Sequence, residues 1–183
     1  MDNEAASSSE RLKQLFAKHG DSVHAYATSL VGPSAAPDVV AETFLVAWRR
    51  IEDVPDEPVP WLLGTARKVA RTHLRGQARQ SRLIERMHRM RTREVFDSAE
   101  EDLVGDADVL ARLRRLPFQH RQVLVLSAWF DLSASQAAGV LGCSVTAYSV
   151  RLHRARRRFR RELDGHENSS NRSMSQPHRE AQR

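Results

Sequence analysis

Toward the end of the chain, over 133–161, a short helix of small residues is followed by a Leu-Gly break. A second helix then passes from Thr and Ser into a dense run of arginines. Few folds accommodate that order. Ser133 stands three residues before Gln136, the spacing of a capping box in which each side chain satisfies an orphan amide at a helix start. Ala137 and Ala138 are small where two helices would cross closely, and Gly142 follows where the turn needs a residue tolerant of positive φ. Ser144 is placed to cap the second helix, in which Val145, Tyr148, Leu152, Ala155 and Phe159 share an apolar face. The pattern predicts a helix-turn-helix, a device for laying its second helix in a DNA groove.

The opposite face of that second helix carries Thr146, Ala147, Val150, Arg151 and Arg154. The early part of a recognition helix meets base edges and its later part meets phosphates. Thr146, Ala147, Val150 and Arg151 are therefore expected to read bases, Ala147 and Val150 by touching a thymine methyl. Arg154, Arg157, Arg158 and Arg161 are expected to anchor phosphates. A solvated basic helix on an ordinary bundle is the plainer alternative. It does not explain why cap, small pair, glycine and basic helix fall in this order.

Charge supports a polyanionic partner. The 183 residues carry a formal net charge of +6 and a pI near 10.4. Lysine occurs only at Lys13, Lys18 and Lys68, and the remaining basic residues are arginines. The planar guanidinium fork donates paired hydrogen bonds to phosphate or guanine, although a coding bias toward arginine would give the same ratio. The single cysteine, Cys143, permits neither an internal disulfide nor a cysteine-rich zinc site, and the eight histidines lack HxxxH or HExxH spacing. No apolar run approaches the roughly 20 residues that span a bilayer. The start, MDNEAASSSE, is polar and acidic rather than a secretory signal. A soluble, intracellular, cytoplasmic protein without membrane insertion is expected.

Apolar spacing predicts helices almost throughout and no strand of useful length. Leu12, Leu15, Phe16, Val23, Tyr26, Ala27 and Leu30 keep one face apolar over about 10–31, and the Gly-Pro-rich stretch at 32–37 breaks it. Pro37 suits the first turn of the next helix and Asp38 its positive end. Val40, Thr43, Phe44, Ala47, Trp48 and Ile51 trace its apolar face. Asp38, Glu42, Arg49 and Arg50 surround that stripe, which is either ordinary core or a partner surface; periodicity does not separate the two. Three prolines and four acids make 52–60 a loop. A third helix is expected from near Trp61 to about Arg75, burying Leu62, Ala66, Val69, Ala70 and His73. Val109, Leu110, Leu113 and Leu116 resume the helical period, and Pro117 opens a helix with Val123, Leu124 and Leu126. The fold class is all-α: two small helical domains joined by a charged linker. The expected boundaries are a disordered 1–9, a domain over 10–80, a linker over 81–105, a domain over 106–164 and a disordered tail over 165–183.

The third helix sets Trp61, Thr65, Lys68, Thr72 and Arg75 on one stripe, with Arg67 and Arg71 beside it. An aromatic platform followed by cations suits single-stranded or melted DNA, where bases stack and phosphates are tracked. A core tryptophan beside solvated arginines would give the same pattern.

Taken together, the blocks DVVAETFLVAWRR (38–50), PWLLGTARKVARTHLR (60–75), LPFQHRQVLVL (116–126) and the helix-turn-helix with RLHRARRR (151–158) resemble a bacterial sigma factor. The likeness is to the two-domain extracytoplasmic-function group of the sigma-70 family and spans about 10–163. It implies a sigma region 2-like bundle that binds the β′ clamp helices of core RNA polymerase. Asp38, Glu42, Thr43, Phe44, Trp48 and Arg49 would lie on or beneath that surface. It implies that the 52–60 loop, with Trp61, Arg67, Lys68, Arg71, Thr72 and Arg75, melts and reads the −10 promoter element. A sigma region 4-like helix-turn-helix would read the −35 element through 145–160 and rest on the β flap. An anti-sigma factor is a further implied partner. Relatives often carry Asn in place of Lys68, Asp in place of Thr72 and Lys or Arg in place of Ser149, so individual promoter contacts differ here.

No cofactor, metal or catalytic residue is expected. The mechanism is physical: promoter binding offsets the few kcal/mol needed to extrude each base. Two other readings fit the residues less well. A stand-alone helix-turn-helix regulator has no use for the 38–75 blocks. An enzyme built on Cys143 lacks a histidine placed by motif, and a free cysteine facing an inter-helix core is usually a small hydrophobe.

Overall fold

The structure is a computed structural model that describes residues 2–88 and 112–173. Among the described residues the α-helices with full bounds are α1 (Asp2–Val31), α2 (Ala36–Arg49), α3 (Pro58–His88), α4 (Phe118–Trp129), α5 (Ala134–Leu141) and α6 (Val145–Ser173), with a 3-10 turn at Ile51–Asp53 and a further helical stretch at 112–115. No strand occurs among the described residues. The all-α expectation holds.

Helices α1, α2 and α3 pack against one another as an N-terminal bundle. Its core is Val23, Tyr26, Ala27 and Leu30 of α1, Val39, Val40, Phe44 and Ala47 of α2, and Leu62, Leu63, Ala66, Val69 and Ala70 of α3. Each fully buried Leu or Val contributes about 1.5–3 kcal/mol of transfer free energy, so this core has the means to order three helices. Gly32 ends α1 at a φ of +86°, where an L side chain would be strained. Its amide donates to the Thr28 carbonyl at 2.9 Å. A proline opens α2, with Asp38 in its first turn and Arg49 in its last, each complementing the helix dipole. The loop after the 3-10 turn is fastened by Arg11, whose guanidinium donates to the Val54 carbonyl at 2.7 Å.

The C-terminal domain wraps α4, α5 and α6 around Leu113, Leu116, Val123, Leu126, Ala137, Ala138, Leu141, Tyr148 and Ala155. Five consecutive α4 residues, Gln122 to Leu126, are buried. A helix buried all round its circumference has neighbours on all sides: α4 lies against α6 and α5 of its own domain and against α1 of the other.

Several boundaries differ from expectation. Helix α3 starts at Pro58, so Pro58, Val59 and Pro60 form its first turn rather than the end of a loop; prolines are tolerated where the amide has no intrahelical acceptor. Helix α1 starts at Asp2, where a disordered 1–9 was expected, and α6 runs to Ser173, past the expected end at 164. No Pro or Gly lies in 2–9, and Gly165 alone costs about 1 kcal/mol against helix, too little to end one. Within α3, Leu63 joins the buried face and His73 is only half-buried. Helix α3 also runs to His88, past its expected end near Arg75 and into the linker expected over 81–105; the rest of that linker, Val109, Leu110 and the tail from 174 lie outside the described residues.

Candidate nucleic-acid interface

The turn between α5 and α6 is built as its sequence requires. Ser133 Oγ accepts from the Gln136 amide at 3.2 Å, and Gln136 Oε1 accepts from the Ser133 amide at 2.9 Å. These two bonds close the capping box. Gly142 adopts the left-handed conformation, φ +63°, at the end of α5, and the Cys143 amide donates to the Ala138 carbonyl at 3.0 Å. Ser144 Oγ then accepts from the Ala147 amide at 3.2 Å and caps α6. Four side-chain and backbone devices thus set the angle at which α6 leaves the turn.

Along α6, Tyr148 and Ala155 are buried and Leu152 and Phe159 are half-buried against the core. Burial raises the Tyr148 phenol above its ordinary value, opposed by Arg156. Val145, expected on the apolar face, is instead 45 % exposed; as the first residue of the helix it precedes the turn that packs on the core. Thr146, Val150, Arg151, Arg154, Arg157 and Arg158 are exposed and Ala147 is half-buried. The candidate −35 reader therefore presents one free face. His153, Arg154, Arg157, Arg158, Arg161 and Glu162 line a shallow basic groove along it.

On α3, Lys68, Arg71, Thr72 and Arg75 are exposed. Thr72 Oγ1 donates back to the Lys68 carbonyl at 3.2 Å. Trp61 is half-buried against the core, between the two readings the sequence left open. Arg67 departs furthest from expectation. It is half-buried, and its Nε donates to Gln122 Oε1 of α4 at 2.6 Å. Burial lowers the guanidinium pKa; Tyr26 opposes that shift, and Arg71 and Arg151 reinforce it. Arg67, Arg71 and Arg151 line one cleft with Pro117, Phe118 and Gln122. Two residues of the candidate α3 reader and one of the candidate α6 reader thus line the same space.

The α2 surface divides cleanly. Asp38, Glu42, Trp48 and Arg49 are exposed, while Thr43 and Phe44 are buried beneath them. Thr43 is satisfied by donating to the Val39 carbonyl at 2.6 Å. Trp48 is 39 % exposed, which corrects its expected place on the apolar face, and Leu45 and Phe16 are 45 % and 53 % exposed. Phe16 meets Phe44 edge-to-face at 4.9 Å. Phe16 continues the apolar period of α1, and periodicity does not show that three helices leave one edge uncovered; Leu45 lies off the apolar stripe of α2 and drew no reading.

Sequence reading also missed Arg121 and Gln122. Arg121 donates to Leu30 O at 2.6 Å and, through its other amino group, to Arg114 O at 3.0 Å and Leu116 O at 3.1 Å. A polar Gln opening an otherwise apolar run was the available signal. Cys143 is half-buried against the core. No cluster of three or more His, Cys, Asp or Glu side chains is disposed to hold a metal among the described residues. No helix among them is long and apolar enough to cross a membrane.

Residues 15–80 match the family described as Sigma-70 region 2, and residues 106–159 match Sigma-70, region 4. The RNA polymerase sigma factor CnrH of Cupriavidus metallidurans is 32 % identical over 175 residues, covering 88 % of this chain and 91 % of that protein. The ECF RNA polymerase sigma factor SigL of Mycobacterium tuberculosis is 31 % identical over 164 residues, covering 87 % and 92 %. Among solved structures, CnrH in complex with the cytosolic domain of CnrY superposes with a TM-score of 0.62 at 30 % identity, covering 89 % of this chain and 94 % of that one. RpoE of Bartonella quintana, solved with the anti-sigma factor NepR, has a TM-score of 0.62 at 22 % identity, covering 83 % and 96 %, a likeness of fold. With two family regions in order and a relative of this identity over nearly its whole length, the chain belongs to the extracytoplasmic-function group of the sigma-70 RNA polymerase sigma factors, which bind core polymerase and direct promoter-specific initiation.

Proposed function

We propose that the two basic helices divide promoter reading between them. Helix α6 takes the −35 element: Thr146, Ala147, Val150 and Arg151 meet base edges, and Arg154, Arg157 and Arg158 hold phosphates. Helix α3 takes the −10 element: Trp61 offers a stacking face, and Arg67, Lys68, Arg71, Thr72 and Arg75 follow the strand. The observation that carries this is the capped, exposed basic face of α6, set at a fixed angle by the Ser133–Gln136 box and the left-handed Gly142. A rigid turn is what a reader needs to hold side chains in register with base pairs.

Helix α2 is assigned to core polymerase. Its exposed Asp38, Glu42, Trp48 and Arg49, supported from below by Thr43 and Phe44, mix an aromatic anchor with charge of both signs, the composition of an interface hot spot. The β′ clamp helices are the expected partner for α2, and the β flap for the C-terminal domain. The protein works without catalysing a reaction, in the cytoplasm where its polymerase is. An anti-sigma partner is also proposed, supported by the complexes of CnrH with CnrY and of RpoE with NepR.

Permanganate footprinting of wild-type and Trp61→Ala holoenzyme on one promoter tests the division of labour. Trp61→Ala is expected to leave closed-complex binding nearly unchanged and to lose a stacking contribution of about 1–3 kcal/mol in opening. Footprints at wild-type strength would remove Trp61 from the −10 reader.

A further inference from the structure

The loop before α3 is a stiff tip on one hinge. It leaves α2 through the 3-10 turn Ile51–Asp53 and reaches Val54, which is 3 % exposed and part of the N-terminal core. Pro55, Asp56 and Glu57 then stand exposed before Pro58 opens α3. The rings of Pro55 and Pro58 lock their own φ. The residues before them, Val54 and Glu57, are steered to extended backbone; Val54 has φ −74° and ψ 117°. Little freedom remains within the tip, so its aim is set by how Val54 is held. Arg11 of α1 holds it: the guanidinium Nη2 donates to the Val54 carbonyl at 2.7 Å, across 43 residues of chain. No backbone amide among the described residues reaches that carbonyl. Arg11 is half-buried, and a charged donor makes a stronger bond than a neutral one. The other restraint, Arg50 Nε to Asp53 Oδ2 at 2.8 Å, joins two exposed side chains on the α2 side of Val54, where an ion pair contributes little. Arg11, Leu15, Lys18 and His19 of α1 also line one cleft with Pro55, Asp56 and Pro58. Helix α1 thus backs the tip along about two turns.

We infer that Arg11 is a positioning residue for promoter selectivity: through the Val54 carbonyl it fixes the aim of the loop tip against the −10 element, without touching DNA itself. The proposal rests on the reading of this loop and α3 as the −10 reader. Losing the Arg11 donor frees the hinge while the Val54 side chain keeps its place in the core. The tip then swings as a unit and the bundle stays folded. Selectivity for the downstream element falls, because side chains out of register no longer favour one base over another. Selectivity for the upstream element is untouched, because α6 does not depend on this hinge. A purely structural role would act differently, lowering the melting temperature and weakening both elements together.

The test uses holoenzyme assembled from core polymerase and the full chain, in run-off transcription over a random promoter library. Arg11→Met keeps the aliphatic stem and removes the donor; Arg11→Lys keeps a charged donor without the fork. Pro55→Gly loosens the tip itself. Arg11→Met is expected to lower base preference in the downstream block about three- to tenfold, the scale of one partly buried hydrogen bond. The upstream block should keep wild-type preferences, and Arg11→Lys should fall between Arg11→Met and wild type. Pro55→Gly should relax the same downstream block, and the double variant should lose no more than the larger single loss, since both act on one tip. If Arg11→Met does not fold, Arg11→Lys decides in the same way. Wild-type downstream preferences in both Arg11 variants, with Pro55→Gly relaxing them, overturn the positioning role and leave the loop as a reader. Wild-type preferences in all three variants overturn both ideas. Equal losses in the two blocks, following a lowered melting temperature, reduce Arg11 to a fold contact and overturn the proposal.

Discussion

Arg151 stands where the proposed base-reading and phosphate-anchoring parts of α6 meet, and it is exposed. The proposed role is a paired contact to one base. Arg151→Ala should then cost about 1–3 kcal/mol and relax preference at one or two upstream base pairs. Binding measured on a set of single-substitution −35 duplexes decides this. A uniform loss on all of them would make Arg151 a phosphate contact instead. A second residue-scale prediction concerns His120. Its Nδ1 is buried without a hydrogen-bond partner. Burial first, and Arg158 second, hold its pKa below the ordinary value. His19 is shifted the same way, by burial and then Lys18. The folded state therefore binds these protons less readily than the unfolded chain, whose histidines titrate near about 6.5. Stability should be constant above that pH and fall as pH drops through it toward the lowered folded values. Melting temperatures over a pH series should show the slope, and His120→Gln should flatten part of it. A slope untouched by that substitution would assign it to other groups.

At the scale of elements, much was legible and the limits have physical causes. The α5–turn–α6 unit could be read almost residue by residue, because capping boxes, left-handed glycines and serine caps act over three or four residues. Boundaries set by elongation were read less well. The prolines of 52–60 predict a loop up to Trp61, yet Pro58 and Pro60 lie inside the first turn of α3. Polar composition predicts disorder at both ends, where α1 and α6 instead continue as helix to Asp2 and Ser173. Surface and core were confused on α2, where Trp48 continues the apolar period but is 39 % exposed. That exposure supports a prediction for the element. Trp48→Ala should leave the melting temperature nearly unchanged and weaken core polymerase affinity by about 2 kcal/mol or more, as aromatic anchors do at interface centres. Equal affinity for core with an unchanged fold would move the interface off this face of α2.

For the whole molecule, the two-domain plan, the order of its regions and the presence of two basic helices were all legible from sequence. The relation between the domains was not. It depends on Gln122 and Arg121, whose partners lie 55 and 91 residues away in the chain, beyond the reach of periodicity or capping. That relation is also what changes the picture of the site. Arg67, read as a cation beside a DNA-facing stripe, is held by the other domain, while Lys68, Arg71, Thr72 and Arg75 remain exposed. On the proposed assignment, the upstream-reading face of α6 is presented and the downstream-reading face of α3 is partly covered. The central claim is that one polymerase-bound chain reads two separate elements with two helices. Run-off transcription by holoenzyme over a random promoter library tests it most directly. Active templates should share two sequence blocks at a fixed spacing, with Arg151→Ala relaxing only the upstream block and Lys68→Ala only the downstream one. A single enriched block, or both substitutions acting on the same block, would contradict it.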